Sequence, residues 1–151
     1  MDKNDYLVAR VGQIHLAVYC RDVENVYCES LSLVKLFYQG AIFRGLTTIN
    51  GRIMEVLDLR KRIGMEQRLK AEMLTLVSFN TGGSNSIAVV VDEIIGMRRI
   101  EASVIHKNDK HFDKRADNVG LLFPTVALLP EESSHRNNLI HILDSTYLDK
   151  M

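Results

Sequence analysis

The sequence predicts an all-β protein, and three observations carry that prediction. Val and Ile dominate the apolar positions, which fall in short runs broken by turn-forming residues. Asn50-Gly51 stands between two such runs, the strongest short hairpin signal a sequence offers. Good helix formers gather in one charged stretch, RKRIGMEQRLKAEM (60–73), and Gly64 interrupts it.

Taken in order, residues 6–11 and 14–20 form a first pair of strands around Gly12-Gln13. In the second of these, Ile14, Leu16, Val18 and Cys20 alternate with His15, Ala17 and Tyr19. Residues 22–28 (DVENVYC) continue extended, and an irregular stretch follows as far as Gly40. The segments 45–49 and 52–57 make the Asn50-Gly51 hairpin, and 60–73 holds one or two short turns of helix. Strands at 73–79 and 87–91 flank TGGSNS, and later strands fall at 97–105, 120–129 and 138–143. Asp144 caps a closing helical turn over 144–150. The polar segments 106–118 and 131–138 read as loops within one domain covering 1–151.

A chain of 151 residues, 46% hydrophobic and 25% charged, suits one globular domain. A domain of that size buries roughly two-thirds of its unfolded surface, so it needs neither a metal nor a disulfide. Nineteen basic and nineteen acidic residues cancel, which argues against a polyanionic partner. The start, MDKNDYLVARVG, lacks a signal-peptide core, and no stretch is long enough to span or insert into a bilayer. A cytoplasmic location is therefore expected, with Cys20 and Cys28 as free thiols. On one extended strand, their eight-residue separation at about 3.3 Å per residue exceeds disulfide reach.

Three apolar runs end in an acid: Asp58, Asp92 and Asp144. An Asp that follows a strand caps the exposed N–H groups of the next turn, a contribution of about 1 kcal/mol. Acid–base catalysis would instead need carboxylates facing one another with displaced pKa values, and nothing in the sequence demands that. The remaining chemical inventory is thin. His106, Asp109, His111 and Asp113 are dense, but they read as an exposed polar loop rather than a metal site. TGGSNS lacks the Lys of a phosphate loop, and no Gly-x-Ser-x-Gly elbow exists. The expectation is a non-enzymatic protein with no cofactor.

Four segments resemble the CheW-like domain of bacterial chemosensory systems: LAVYCRDVENV (16–26), RGLTTINGRIMEVLDLRKRIG (44–64), SIAVVVDEIIGM (86–97) and NLIHILDSTYL (138–148). The resemblance implies two small five-stranded SH3-like β-barrels around a shared apolar seam, with short helical turns. It implies an adaptor that couples the cytoplasmic tip of a chemoreceptor to the regulatory domain of a CheA-type histidine kinase, without catalysis. Val23, Asn25, Gly45, Thr48, Asn50 and Gly51 carry over as candidate partner-contact positions. Their ordinary readings are core packing for Val23 and turn geometry for Gly45 and Gly51.

The chain also departs from the family pattern. Thr48 and Asn50 stand where Asn and Arg are usual, Glu55 replaces a proline, and Asn25 replaces an acid. Loss of a planar, bidentate Arg changes what the surface can recognise, as in a diverged adaptor of a pilus- or motility-linked pathway. The competing reading is a small β-barrel that binds nucleic acid, which the neutral charge disfavours.

Overall fold

The computed structural model describes residues 2–30, 33–34, 43–61, 73–80, 86–107, 123–130 and 137–150. These residues form strands β1 (Asp5–Val11), β2 (Ile14–Tyr19), β3 (Val23–Ser30), β4 (Phe43–Ile49), β5 (Arg52–Leu57) and β6 (Met73–Phe79). They continue with β7 (Ser86–Val91), β8 (Glu93–Arg99), β9 (Ile105–Lys107), β10 (Thr125–Pro130) and β11 (Asn137–Ile142). Single 3-10 turns occupy Cys20–Asp22, Leu59–Lys61 and Ala102–Val104, and a longer one spans Ser145–Lys150.

The strands form two sheets, one in the order β8-β1-β2-β11-β10-β9 and one in the order β3-β6-β7-β5-β4. The second has the five strands expected. The first gains a sixth from the three-residue β9, which pairs with β10 from Ala127 to Thr125. Each sheet is antiparallel except for one parallel pair, β2 with β11 and β5 with β7. The five-stranded sheet is a contiguous insertion. The chain leaves the six-stranded sheet after β2, builds β3 to β7, and returns at Asp92.

Burial explains the strand sequences. Each sheet wraps a core of its own: Tyr6, Val8, Ala17, Ala127, Ile140 and Ile142 on one side, Ile49, Met54, Val56, Leu76, Ala88 and Val90 on the other. A third cluster lies between the sheets and draws Ala9, Val11, Leu16 and Val18 from the first and Leu57, Val77, Phe79, Ile87, Val89 and Val91 from the second. β7 alternates between these cores, with Ala88 and Val90 in one and Ile87, Val89 and Val91 in the other. All six of its residues are buried, so its sequence reads as an unbroken apolar run.

The predicted turns close as the sequence specifies. Asn50 (φ 52°) and Gly51 (φ 78°) both take the positive φ of a two-residue hairpin loop between the paired Ile49 and Arg52. Cys20 is buried, Cys28 is exposed, and both are free.

Two predicted elements differ. The strand expected over 97–105 is three pieces: the end of β8, a 3-10 turn at Ala102–Val104, and the start of β9. The register of β8 against β1 slips between Val8 and Ala9, where Gly96 takes φ 145°, so the strand begins upstream of the bulge at Glu93, and the 3-10 turn ends the extended run that the expectation carried to 105. The strand expected from 120 starts at Thr125, after Phe123-Pro124. Leu59–Lys61 supplies one helical turn at the start of 60–73, and 62–72 lies outside the described residues. His106 belongs to β9, while Asp109, His111, Asp113 and residues 131–136 lie outside the described residues.

The two cores and the seam between them make different predictions. Phe79→Ala removes a ring that is 1% exposed and belongs to the seam. It should cost about 3–5 kcal/mol, with both sheets unfolding in one transition when urea melting is followed by two probes. Gly45 sits in the bulge of β4 at φ 150°, where an added Cβ would lie 2.8 Å from the Val34 carbonyl oxygen. Gly45→Ala should therefore lower the melting temperature by several degrees, corresponding to roughly 1–3 kcal/mol of backbone strain.

Candidate functional site

The β4–β5 hairpin positions most of the candidate residues. Alternation sends Ile49, Met54 and Val56 into the core of the five-stranded sheet. Cross-strand partners Leu46 and Glu55, and Thr48 and Ile53, lie at the intervening positions. Val34 extends this face by bonding the edge of β4, its N–H and carbonyl exchanging hydrogen bonds with Leu46 at 2.8 and 2.9 Å. Val34, Leu46, Thr47, Thr48 and Ile53 line a shallow concavity of about 260 Å³. Val34 is 63% exposed and Ile53 52%, so apolar side chains stand where alternation calls for polar ones.

Thr48, Asn50 and Gly51 are exposed together on this hairpin, and Gly51 has open space where a Cβ would be. Gly45 is buried and faces Val34, so it shapes the face from beneath. Val23 and Asn25 lie on β3, at the opposite edge of the same sheet. The Arg52 guanidinium bonds the Glu24 carboxylate, which ties the start of β3 to the hairpin tip. Asn25 is exposed; its N–H donates to Ser78 Oγ (3.1 Å), Ser78 Oγ donates to the Asn25 carbonyl (3.2 Å), and Asn25 Nδ2 donates to Tyr27 Oη (3.1 Å). Val23 is half-buried against the seam cluster. Sequence reasoning missed Val34, Leu46 and Ile53. The available signal was Ile53, an apolar residue two positions past the turn and in phase with Glu55 on the polar side of its strand.

The three acids divide. Asp58 Oδ1 accepts from the Arg60 N–H at 3.0 Å, and Asp144 Oδ1 accepts from the Thr146 N–H at 3.0 Å and the Thr146 hydroxyl at 2.6 Å. Both cap the 3-10 turn that follows, as the sequence implies. Asp92 does not cap its own turn: Oδ2 accepts from the Gly12 N–H at 2.6 Å, and Oδ1 accepts from the Arg60 guanidinium.

Chemistry beyond recognition has little to work with. Burial and a hydrogen bond with Tyr19 hold the Tyr6 hydroxyl protonated well above its ordinary value. Burial, and then the Asp5 carboxylate, push the Cys20 thiol up, which makes it a poorer nucleophile. Among the described residues no three His, Cys, Asp or Glu side chains stand close enough to hold a metal ion, and no helix is long and apolar enough to cross a membrane.

Comparison with known proteins places this geometry. No curated protein matches the chain in sequence. Among solved structures, the crystal structure of the scaffolding protein TtCheW from Thermoanaerobacter tengcongensis superposes with a TM-score of 0.76 at 17% identity, covering 99% of this chain and 94% of that one. The likeness establishes the fold. The CheW-like domain family matches residues 5–144, nearly the whole chain, and takes in both sheets and the β4–β5 hairpin. The chain belongs to the CheW-like domain family.

Proposed function

We propose that this protein is a non-enzymatic chemosensory scaffold that couples the cytoplasmic tip of a chemoreceptor to the regulatory domain of a CheA-type histidine kinase. The exposed apolar concavity of the β4–β5 hairpin carries this reading. A family member with this surface is built to meet another protein, since clustered exposed apolar residues mark interaction sites. In this reading the kinase domain seats on Val34, Leu46 and Ile53, with Gly45 shaping the floor. Val23, Asn25, Thr48, Asn50 and Gly51 border the receptor contact. The formal charge of zero supports a protein partner over a nucleic acid.

The recognition chemistry has diverged along with the sequence. Asn50 keeps hydrogen-bonding capacity but offers no charged fork to a carboxylate. The cognate receptor tip then presents a neutral group at that point, in keeping with a distinct motility- or pilus-linked pathway.

Two binding experiments test the assignment. Ile53→Glu adds a charge at an exposed position and should weaken a CheA-type regulatory domain at least about ten-fold in titration calorimetry, with the melting temperature unchanged. Unchanged affinity would remove the kinase from this face. Thr48→Asn combined with Asn50→Arg should strengthen binding to a conventional acidic receptor tip by about 1 kcal/mol for a rim contact and leave the cognate tip unimproved. Equal affinities for both tips in both proteins would mean these positions carry no specificity.

A further inference from the structure

Among the described strands the chain passes between its sheets at two places. Cys20–Asp22 leads from β2 into β3, and Asp92 alone leads from β7 back into β8. A one-residue crossing leaves two soft backbone dihedrals, so the covalent chain does not fix the angle at which the sheets meet there. The apolar seam restricts it through side-chain packing but contributes no directional bond of its own.

The polar groups of Asp92 supply the missing direction. Its N–H donates to the Arg10 carbonyl at 2.8 Å, and its Oδ2 accepts from the Gly12 N–H at 2.6 Å; both partners belong to the β1–β2 hairpin of the six-stranded sheet. Its Oδ1 accepts from Arg60, which follows β5 of the five-stranded sheet. The Arg60 side chain is 8% exposed and that of Asp92 17%, so water competes little with the pair. Asp58 holds the Arg60 backbone N–H at 3.0 Å, which fixes the root of the cation.

We propose that the Arg60–Asp92–Gly12 node is an orientational latch that sets the angle between the two sheets, while the seam supplies cohesion. Arg60 and Asp92 are positioning residues in this role. Charge-assisted bonds are short and directional, and in this role the largely buried pair contributes more to a unique arrangement than to net stability. β5 is one arm of the hairpin that bears the apolar concavity, so the latch also fixes how that face stands relative to the six-stranded sheet. The inference holds whichever partner the hairpin binds.

Residual dipolar couplings and amide hydrogen exchange on the intact protein test it, with Arg60→Met, Asp92→Ala and the double variant. In the parent, one alignment tensor should fit the strands of both sheets. In each variant, β1, β2 and β8–β11 should need one tensor and β3–β7 another. The Gly12 amide should exchange about ten-fold faster in Asp92→Ala, with the Leu76 and Val90 amides less affected. The double variant leaves no unpaired half-buried charge, so its melting temperature should recover toward that of the parent while the two-tensor behaviour persists. That split between stability and orientation separates a latch from an ordinary stabilising pair, and it remains readable if a single variant fails to fold. A single tensor in the double variant would overturn the proposal.

Discussion

The seam between the sheets is the constraint on which the rest of the molecule depends. A small sheet curled around its own core still leaves one apolar face, and here each sheet covers that face with the other. Ala9, Val11, Leu16 and Val18 meet Val77, Phe79, Ile87, Val89 and Val91 across the interface. Strands at the seam must then be apolar on both faces, which is why β7 is buried along its whole length while β8, at a sheet edge, is half exposed. Each seam residue of Val or Phe size gains roughly 1.5–3 kcal/mol from burial, so either sheet alone would lose several such contributions at once. The insertion topology follows. β3 to β7 form a contiguous unit, and that unit completes its burial against β1 and β2 of the other sheet.

How much of this was legible depends on whether the signal is local. The Asn50-Gly51 loop, the alternation of β2 and the apolar run of β7 are written in adjacent residues; the structure keeps the loop and the run, and it keeps the alternation from Leu16 to Val18, with Cys20 passing into a 3-10 turn. The true start of β8, at Glu93, was missed for a non-local reason: its bulge matches β1, about ninety residues upstream in the chain, and its glycine looks like any other turn residue. The candidate contact surface was half legible for the same reason. Thr48, Asn50 and Gly51 came from the hairpin itself, whereas Val34 joins the surface only through its backbone pairing with Leu46. That pairing is made at an edge strand, where no residue pattern announces it.

Gly45 shows how a residue can matter to a surface without touching a partner. Its positive φ bends β4 at the bulge, and its missing side chain lets the Val34 carbonyl approach. A larger residue would push Val34 away from Leu46 and alter the concavity, so a backbone requirement beneath sets the shape of the surface above. The distinction bears on how such a site diverges. Thr48, Asn50 and Ile53 can change at little cost to folding because their side chains are exposed, while Gly45 is held by the backbone.

The three acids with one local pattern separate two uses of a carboxylate. Asp58 and Asp144 bond two residues ahead, and that contact is available to any strand followed by a turn. Asp92 reaches residues 80 and 32 positions away: the Gly12 bond extends the β1–β8 pairing of its own sheet, and the Arg60 bond exists only once both sheets have met. A cap of the first kind stabilises a local turn in any arrangement of the sheets. A contact of the second kind favours one arrangement over its near neighbours, which an apolar seam of comparable area would tolerate almost equally. This chain places that second kind of contact at Asp92, the shorter of the two crossings between its described strands.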